Sequence, residues 1–309
     1  MSAVVKAYLK LLGDSWTAAT PPATRQQLTA TFGRSQLELR INDYDLSGIT
    51  GKWLRTTPKL IWRSVRDPQT GHTIHVVSDR GSKQIDADLL LGLRILKWMS
   101  IKRAITWFWW DHDRPRILPP FTSPGQKHLN GGWTSLDTSR DPEVHVYRRE
   151  EAHKVLIHEC IHALALDVPA NSLLESQRTL IERSLGGYRL YPHFGEAYTE
   201  FYAEFLWAGI QGQGLKAWNR QIACSAGQAR EVWGRIAASG HHTENTSVFA
   251  YYVMKWVLML HVDHLLLDPR GSVKFWAAWW DSARGELDAA KKNVRMDKPF
   301  FMGMTCGLT

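Results

Sequence analysis

With 309 residues, 44% of them apolar and 22% charged, the chain can bury a sizeable core, and its composition excludes a disordered, collagen-like or low-complexity protein. The formal net charge of +8 is spread along the sequence, as on a solvated face, and favours acidic partners: nucleic acid, anionic lipid or an acidic polypeptide. Cys160, Cys224 and Cys306 are too few and too scattered for a disulfide framework or a thiolate metal site, which fits a reducing compartment.

Taken in chain order, residues 4–12 have helical periodicity, the Pro21-Pro22 pair breaks it, and residues 23–32 read as a second short helix. Residues 37–41 and 59–65 read as strands. A clearer pattern starts at Gly71. Residues 72–77 form a β-rich run, and residues 86–100 form an amphipathic helix with Leu89, Leu93, Ile95 and Leu96 inward. Residues 104–110 follow as a strand in which Trp107, Phe108, Trp109 and Trp110 pack into a core. After a proline-bearing loop comes Leu129-Asn130-Gly131-Gly132-Trp133-Thr134, then an alternating strand at 144–147. The N-terminus, with lysines among its apolar residues and no cleavage site, does not read as a signal peptide. The longest apolar run, residues 248–267, is broken by Lys255, His261, Asp263 and His264, so no membrane insertion is expected.

The segment 154–167, KVLIHECIHALALD, is apolar nearly all round, which predicts a buried helix. It carries His158, Glu159 and His162 as HExxH. Residues four apart lie on one face, so both imidazoles can reach one Zn²⁺ at about 2.0–2.1 Å. Glu159 then stands where a general base can take a proton from the attacking water. Glu150 and Glu151 are expected in the first turn, at the positive end of the helix dipole. Chance produces one HExxH in roughly a few per cent of chains with this many histidines, but three polar residues on a buried helix need partners or a metal; the alternative to a metal is a core in which the histidines are merely hydrogen-bonded.

Downstream the chain reads as helices at 172–185, 193–207, 215–238, 245–267 and 272–284, the last with Trp276, Trp279 and Trp280 on one face. The architecture expected is α+β: an N-terminal extension at 1–70, a mixed-sheet subdomain with the HExxH helix at 71–170, and a helical subdomain at 171–309. Within the second helix, Glu196, Glu200 and Glu204 form an i, i+4, i+8 row. Like charges so aligned repel, and a cation such as Zn²⁺ is the simplest reason to align them.

His158-Glu159-Cys160-Ile161-His162 followed by Glu196-Ala197-Tyr198-Thr199-Glu200 resembles the gluzincin peptidases, with a longer separation between the two motifs than in thermolysin-like members. The resemblance implies a zincin-like fold, Glu196 as third ligand, and Glu200 as the acid that orients a ligand histidine. It also implies an edge strand that pairs with an extended substrate, for which Gly131, Gly132 and Trp133 are the candidates. An oxyanion donor is expected from the helical subdomain, Tyr251 or Tyr252, with His241 and His242 in reserve. The segments 129–134, 147–151 and 154–159 are similar to predicted metallopeptidases encoded by large DNA viruses, which makes the expected location intracellular or virion-associated.

The function expected is therefore a zinc metallopeptidase acting on polypeptide. Two alternatives stay open: a basic zinc-binding protein without catalysis, structural or associated with nucleic acid, and a SprT-like protease of DNA-bound protein, in which His193 replaces Glu196. An intact Glu159 favours an enzyme.

Overall fold

The computed structural model of the chain describes residues 2–19, 26–28, 48–99, 103–113, 116–118, 129–135, 140–167, 183, 194–239, 246–268, 272–290 and 300–301. In chain order the elements are helix α1 (Ala3–Ala18), strand β1 (Gln26–Leu28), α2 (Ile49–Thr56), β2 (Ile61–Arg66), β3 (Thr73–Ser78), α3 (Ser82–Trp98), β4 (Thr106–Asp111), β5 (Ile117–Leu118), β6 (Gly132–Thr134), β7 (Glu143–Val146) and α4 (Ala152–Ala163). There follow α5 (Phe194–Ile210), α6 (Gly214–Ser239), a π-helical turn (Ala250–Met254), α7 (Lys255–Leu260), α8 (Val262–Leu267), a 3₁₀ turn (Ser272–Phe275), α9 (Trp276–Ala290) and β8 (Phe300–Phe301). The chain divides into two compact units, one of residues 14–115 and 130–164, the other of residues 1–13, 116–129 and 165–309.

The first unit is built on a mixed sheet of six strands in the order β1-β2-β3-β4-β7-β6. β3, β4 and β7 run parallel, β1 and β2 extend the sheet antiparallel on one side, and β6 closes the other edge antiparallel to β7. Helix α3 is the crossover from β3 to β4. Its buried Ile85, Leu89, Gly92, Leu93, Ile95 and Leu96 recur at helical spacing, so one face meets the sheet. At Gly92 the approach is closest: a Cβ there would stand 2.4 Å from the Trp107 ring.

All four aromatics of β4 are buried, because both faces of the sheet are covered. On one face Trp107 and Trp109 stack on each other and meet His153 of α4 edge-on. On the other, Phe108 and Trp110 cluster with Leu54, Val77 and Tyr147.

The second unit is mostly helical. Its core joins α5, α6, the π turn, α7 and α9 through Phe201, Phe205, Trp218, Trp233, Trp256, Trp276 and Trp280. The α+β expectation thus holds as a small mixed sheet and a mostly helical C-terminal part. Among the described residues no helix is long and apolar enough to cross a membrane.

Several expectations are corrected. Within 23–32 the described residues form strand β1, since sheet pairing with β2 outweighs a weak local helical periodicity. Helix α4 begins at Ala152, with Glu151 at its N-cap position, so Glu150 and Glu151 precede the helix rather than fill its first turn. It ends at Ala163, ahead of a left-handed Ala165. The long helix expected at 245–267 is broken into the π turn, α7 and α8, with His261 between the last two. Cys224 is disulfide-bonded, its partner lying outside the described residues, while Cys160 is a buried free thiol. Sequence spacing reports only local cysteine pairs, and the cysteines do not argue for a reducing compartment. The strand expected at 37–41 lies outside the described residues, as does the helix expected at 172–185 apart from residue 183.

Candidate metal centre

Helix α4 lies against β6 and β7 and buries nine of its side chains, including His158 and Glu159. One turn on, His162 is half-buried. The Nε2 atoms of His158 and His162 stand 3.1 Å apart, with the rings tilted at 72°. Two nitrogens held by one tetrahedral Zn²⁺ at its usual bond length sit about 3.3 Å from each other. The imidazole pair therefore fits a shared cation, and neutral imidazole nitrogens are among the ligands Zn²⁺ prefers.

Glu159 is held by the edge strand. The Thr134 hydroxyl donates to Glu159 Oε2 at 2.7 Å and also lies 3.1 Å from the Glu159 backbone oxygen. Two residues back on the same face of β6, Gly132 brings the strand close to α4. A Cβ at Gly132 would fall 2.6 Å from the His145 backbone oxygen, 2.9 Å from Val155 Cγ1 and 3.0 Å from Glu159 Oε1. The register is fixed on both sides, by Tyr147 N–H donating to Gly131 O at 2.8 Å and Ser135 N–H to Glu143 O at 2.9 Å. Trp133 points to the opposite face, where it stacks on His145 with ring centroids 4.1 Å apart. That stack continues across the sheet through Phe108 to His75.

The chain entering this site is pinned by buried charge. Arg148, fully buried, donates through Nε to Asn130 O at 3.1 Å, which fixes the backbone just ahead of Gly131. Arg149 pairs with Asp111 at 3.1 Å and with Asp79, and Asp111 also pairs with Arg80 at 2.6 Å. Burial, with lesser contributions from the charges of Glu151 and Asp113, raises the Glu150 carboxyl above its usual range. Burial and the neighbouring Glu159 likewise push the Cys160 thiol up, so it is an unreactive packing residue rather than a thiolate.

In the helical unit, α5 carries the acid row. Glu196 is half-buried in the first turn, and Glu200 and Glu204 are buried at 1% and 0% exposure. The cation at the far end of this row is Lys255, fully buried, with Nζ 3.2 Å from Glu204 and 4.0 Å from Glu200. A metal is thus not needed to account for Glu204, and the expectation that one cation explains the whole row is corrected. Tyr252 is fully buried below Lys255, whose Nζ lies 5.9 Å from its ring, whereas Tyr251 is half-buried at the edge of the core. Both belong to the π turn, and such turns recur at functional sites. His193, His241 and His242 lie outside the described residues.

Sequence reasoning missed Thr134 and Lys255. The signal for Thr134 was its place two residues after Gly132 in a strand, on the same face. For Lys255 it was a charge inside a run of core residues, a pattern that demands a buried partner.

No family model, curated protein or solved structure matches this chain.

Proposed function

We propose that this protein is a zincin-like, zinc-dependent peptidase of gluzincin type, hydrolysing polypeptide with Glu159 as general base. The observation that carries this reading is the grouping on one buried helix of two imidazole nitrogens 3.1 Å apart and a carboxylate held by Thr134. An antiparallel edge strand beside that helix supports the zincin architecture, since such an edge can pair with an extended substrate along Gly131–Trp133.

His158 and His162 would hold the metal, with Glu196 as the third ligand and Glu200 behind a ligand histidine, as the resemblance implies. When bound, Zn²⁺ supplies Lewis acidity, lowering the pKa of a water and polarising the substrate carbonyl. Glu159 takes a proton from the attacking water and returns it to the departing amine nitrogen. Tyr251 is the better candidate for an oxyanion donor, because Tyr252 is enclosed in the core.

Two measurements test the reading. Elemental analysis of the zinc-reconstituted protein should find about one Zn²⁺ per chain. Glu159→Gln should keep that zinc and lose hydrolysis of a fluorogenic peptide pool, since an amide cannot accept the proton, whereas His162→Ala should lose the zinc as well. Wild-type rates in Glu159→Gln, or no stoichiometric metal in the reconstituted wild type, would sink the proposal.

A further inference from the structure

The two oxygens of the Glu159 carboxylate are not equivalent. One, Oε2, accepts the Thr134 hydroxyl at 2.7 Å. The other, Oε1, is packed against the β6 backbone, 3.0 Å from where a Cβ on Gly132 would stand, so only glycine fits there. We infer that Thr134 is a positioning residue for the general base: it fixes the carboxylate rotamer through Oε2, and with it the direction from which Glu159 takes its proton. This rests on the peptidase reading above.

The hydroxyl has the acceptors such a role requires. It carries one proton and lies within reach of two oxygens on the same residue, the Oε2 carboxylate oxygen and, at 3.1 Å, the Glu159 backbone oxygen. While Glu159 is ionised, the hydroxyl donates to Oε2 in a charge-assisted bond. As the water oxygen bonds to the substrate carbonyl carbon, one water proton moves to the Glu159 carboxylate. The Glu159 backbone oxygen stays within reach of the hydroxyl, so no buried donor is stranded in the protonated state. When the C–N bond breaks, that proton passes to the amine nitrogen and the carboxylate is restored.

Thr134 and Gly132 share one face of β6, two residues apart, and that face lies against α4. The same short strand thus anchors one oxygen and packs its glycine backbone against the other. The strand is itself held, because Arg148 and the Tyr147 and Ser135 amides set its register. Holding a base within a narrow angular range is what converts proximity into rate, and small misplacements are costly.

The test compares Thr134→Val, which keeps the shape and removes the donor, with Thr134→Ser, which keeps the donor, in the zinc-loaded full chain acting on a fluorogenic peptide pool. Thr134→Val is expected to lower kcat about 10- to 100-fold with KM unchanged. Thr134→Ser should stay close to wild type, and titration against a competing chelator should give all three proteins the same zinc affinity. Where Thr134→Val does not fold by near-UV circular dichroism, Thr134→Ala carries the same expectation. Wild-type kcat in the donor-less variant, or equal losses in Thr134→Val and Thr134→Ser, overturns the positioning role alone. A zinc-loaded wild type with no hydrolysis overturns the peptidase reading and this inference together. Weakened zinc binding in Thr134→Val overturns the inference in favour of a structural role for the β6–α4 contact.

Discussion

Lys255 is fully buried, and its ammonium meets the fully buried Glu204 at 3.2 Å. Taking either charge out of water alone costs several kcal/mol, and the pair persists because each ion offsets the other's desolvation. Removing one partner should therefore hurt more than removing both. Lys255→Met is expected to destabilise the protein by about 3–5 kcal/mol, while Lys255→Met with Glu204→Leu should recover most of that loss. Urea unfolding of the two variants checks this, and a double variant no more stable than the single one would show that the cost is not the stranded carboxylate. The same pair explains part of what the acid row of α5 is for. Two of its three members lie within 4.0 Å of the Lys255 ammonium, so no metal is required to explain those two carboxylates.

At the scale of elements, α4 is held to the sheet partly by a histidine that must stay neutral. His153 donates through Nε2 to the Asp88 backbone oxygen at 3.0 Å and packs edge-on to Trp107 and Trp109. Burial lowers its pKa, as does the Arg80 charge, against the opposing pull of Asp88 and Asp111. His72 is lowered too, by burial, against Asp67. With the folded pKa below the unfolded value near 6.5, the stabilisation is complete above that value and is lost as pH falls through it toward the folded pKa. The zinc-free protein should therefore unfold at lower urea at pH 5.5 than at pH 7.5, and His153→Gln should flatten that dependence. An unchanged slope in the variant would remove His153 from the account. Legibility followed the same physics. Helices α3, α5 and α6 and the aromatic strand β4 were readable because apolar periodicity over many residues records burial directly. The HExxH pair was readable because it is local, four residues on one helix. Strand β1 was not, since three residues take their conformation from pairing with β2. The Thr134 contact with Glu159 escaped because it joins residues 25 apart through a strand–helix packing that no spacing rule encodes. The break at His261 escaped because an apolar run looks continuous whether or not its hydrogen bonds are.

For the molecule as a whole, the metal is the feature that would join distant parts of the sequence, since the proposed ligands lie at 158, 162 and 196. A ligand that binds only the folded chain stabilises it by about 2.7 kcal/mol at a hundred times its dissociation constant. Zinc should accordingly raise the midpoint of thermal unfolding, and a chelator should reverse the shift. The variants then separate the rival ligand sets. With Glu196 as third ligand, Glu196→Ala should nearly abolish the zinc-dependent shift, Glu200→Ala should weaken zinc affinity about 10- to 100-fold by freeing the histidine it orients, and His193→Ala should leave the shift intact. With a third histidine, as in SprT-like proteases, His193→Ala should abolish the shift and Glu196→Ala should spare it. That second outcome would also turn the net charge of +8 into evidence for a DNA-bound substrate, testable as an affinity for duplex DNA that falls steeply with salt. Zinc titrations of the three variants by thermal shift decide between the two, and wild-type zinc affinity in Glu196→Ala would end the gluzincin assignment while leaving His158, His162 and Glu159 as the core of the site.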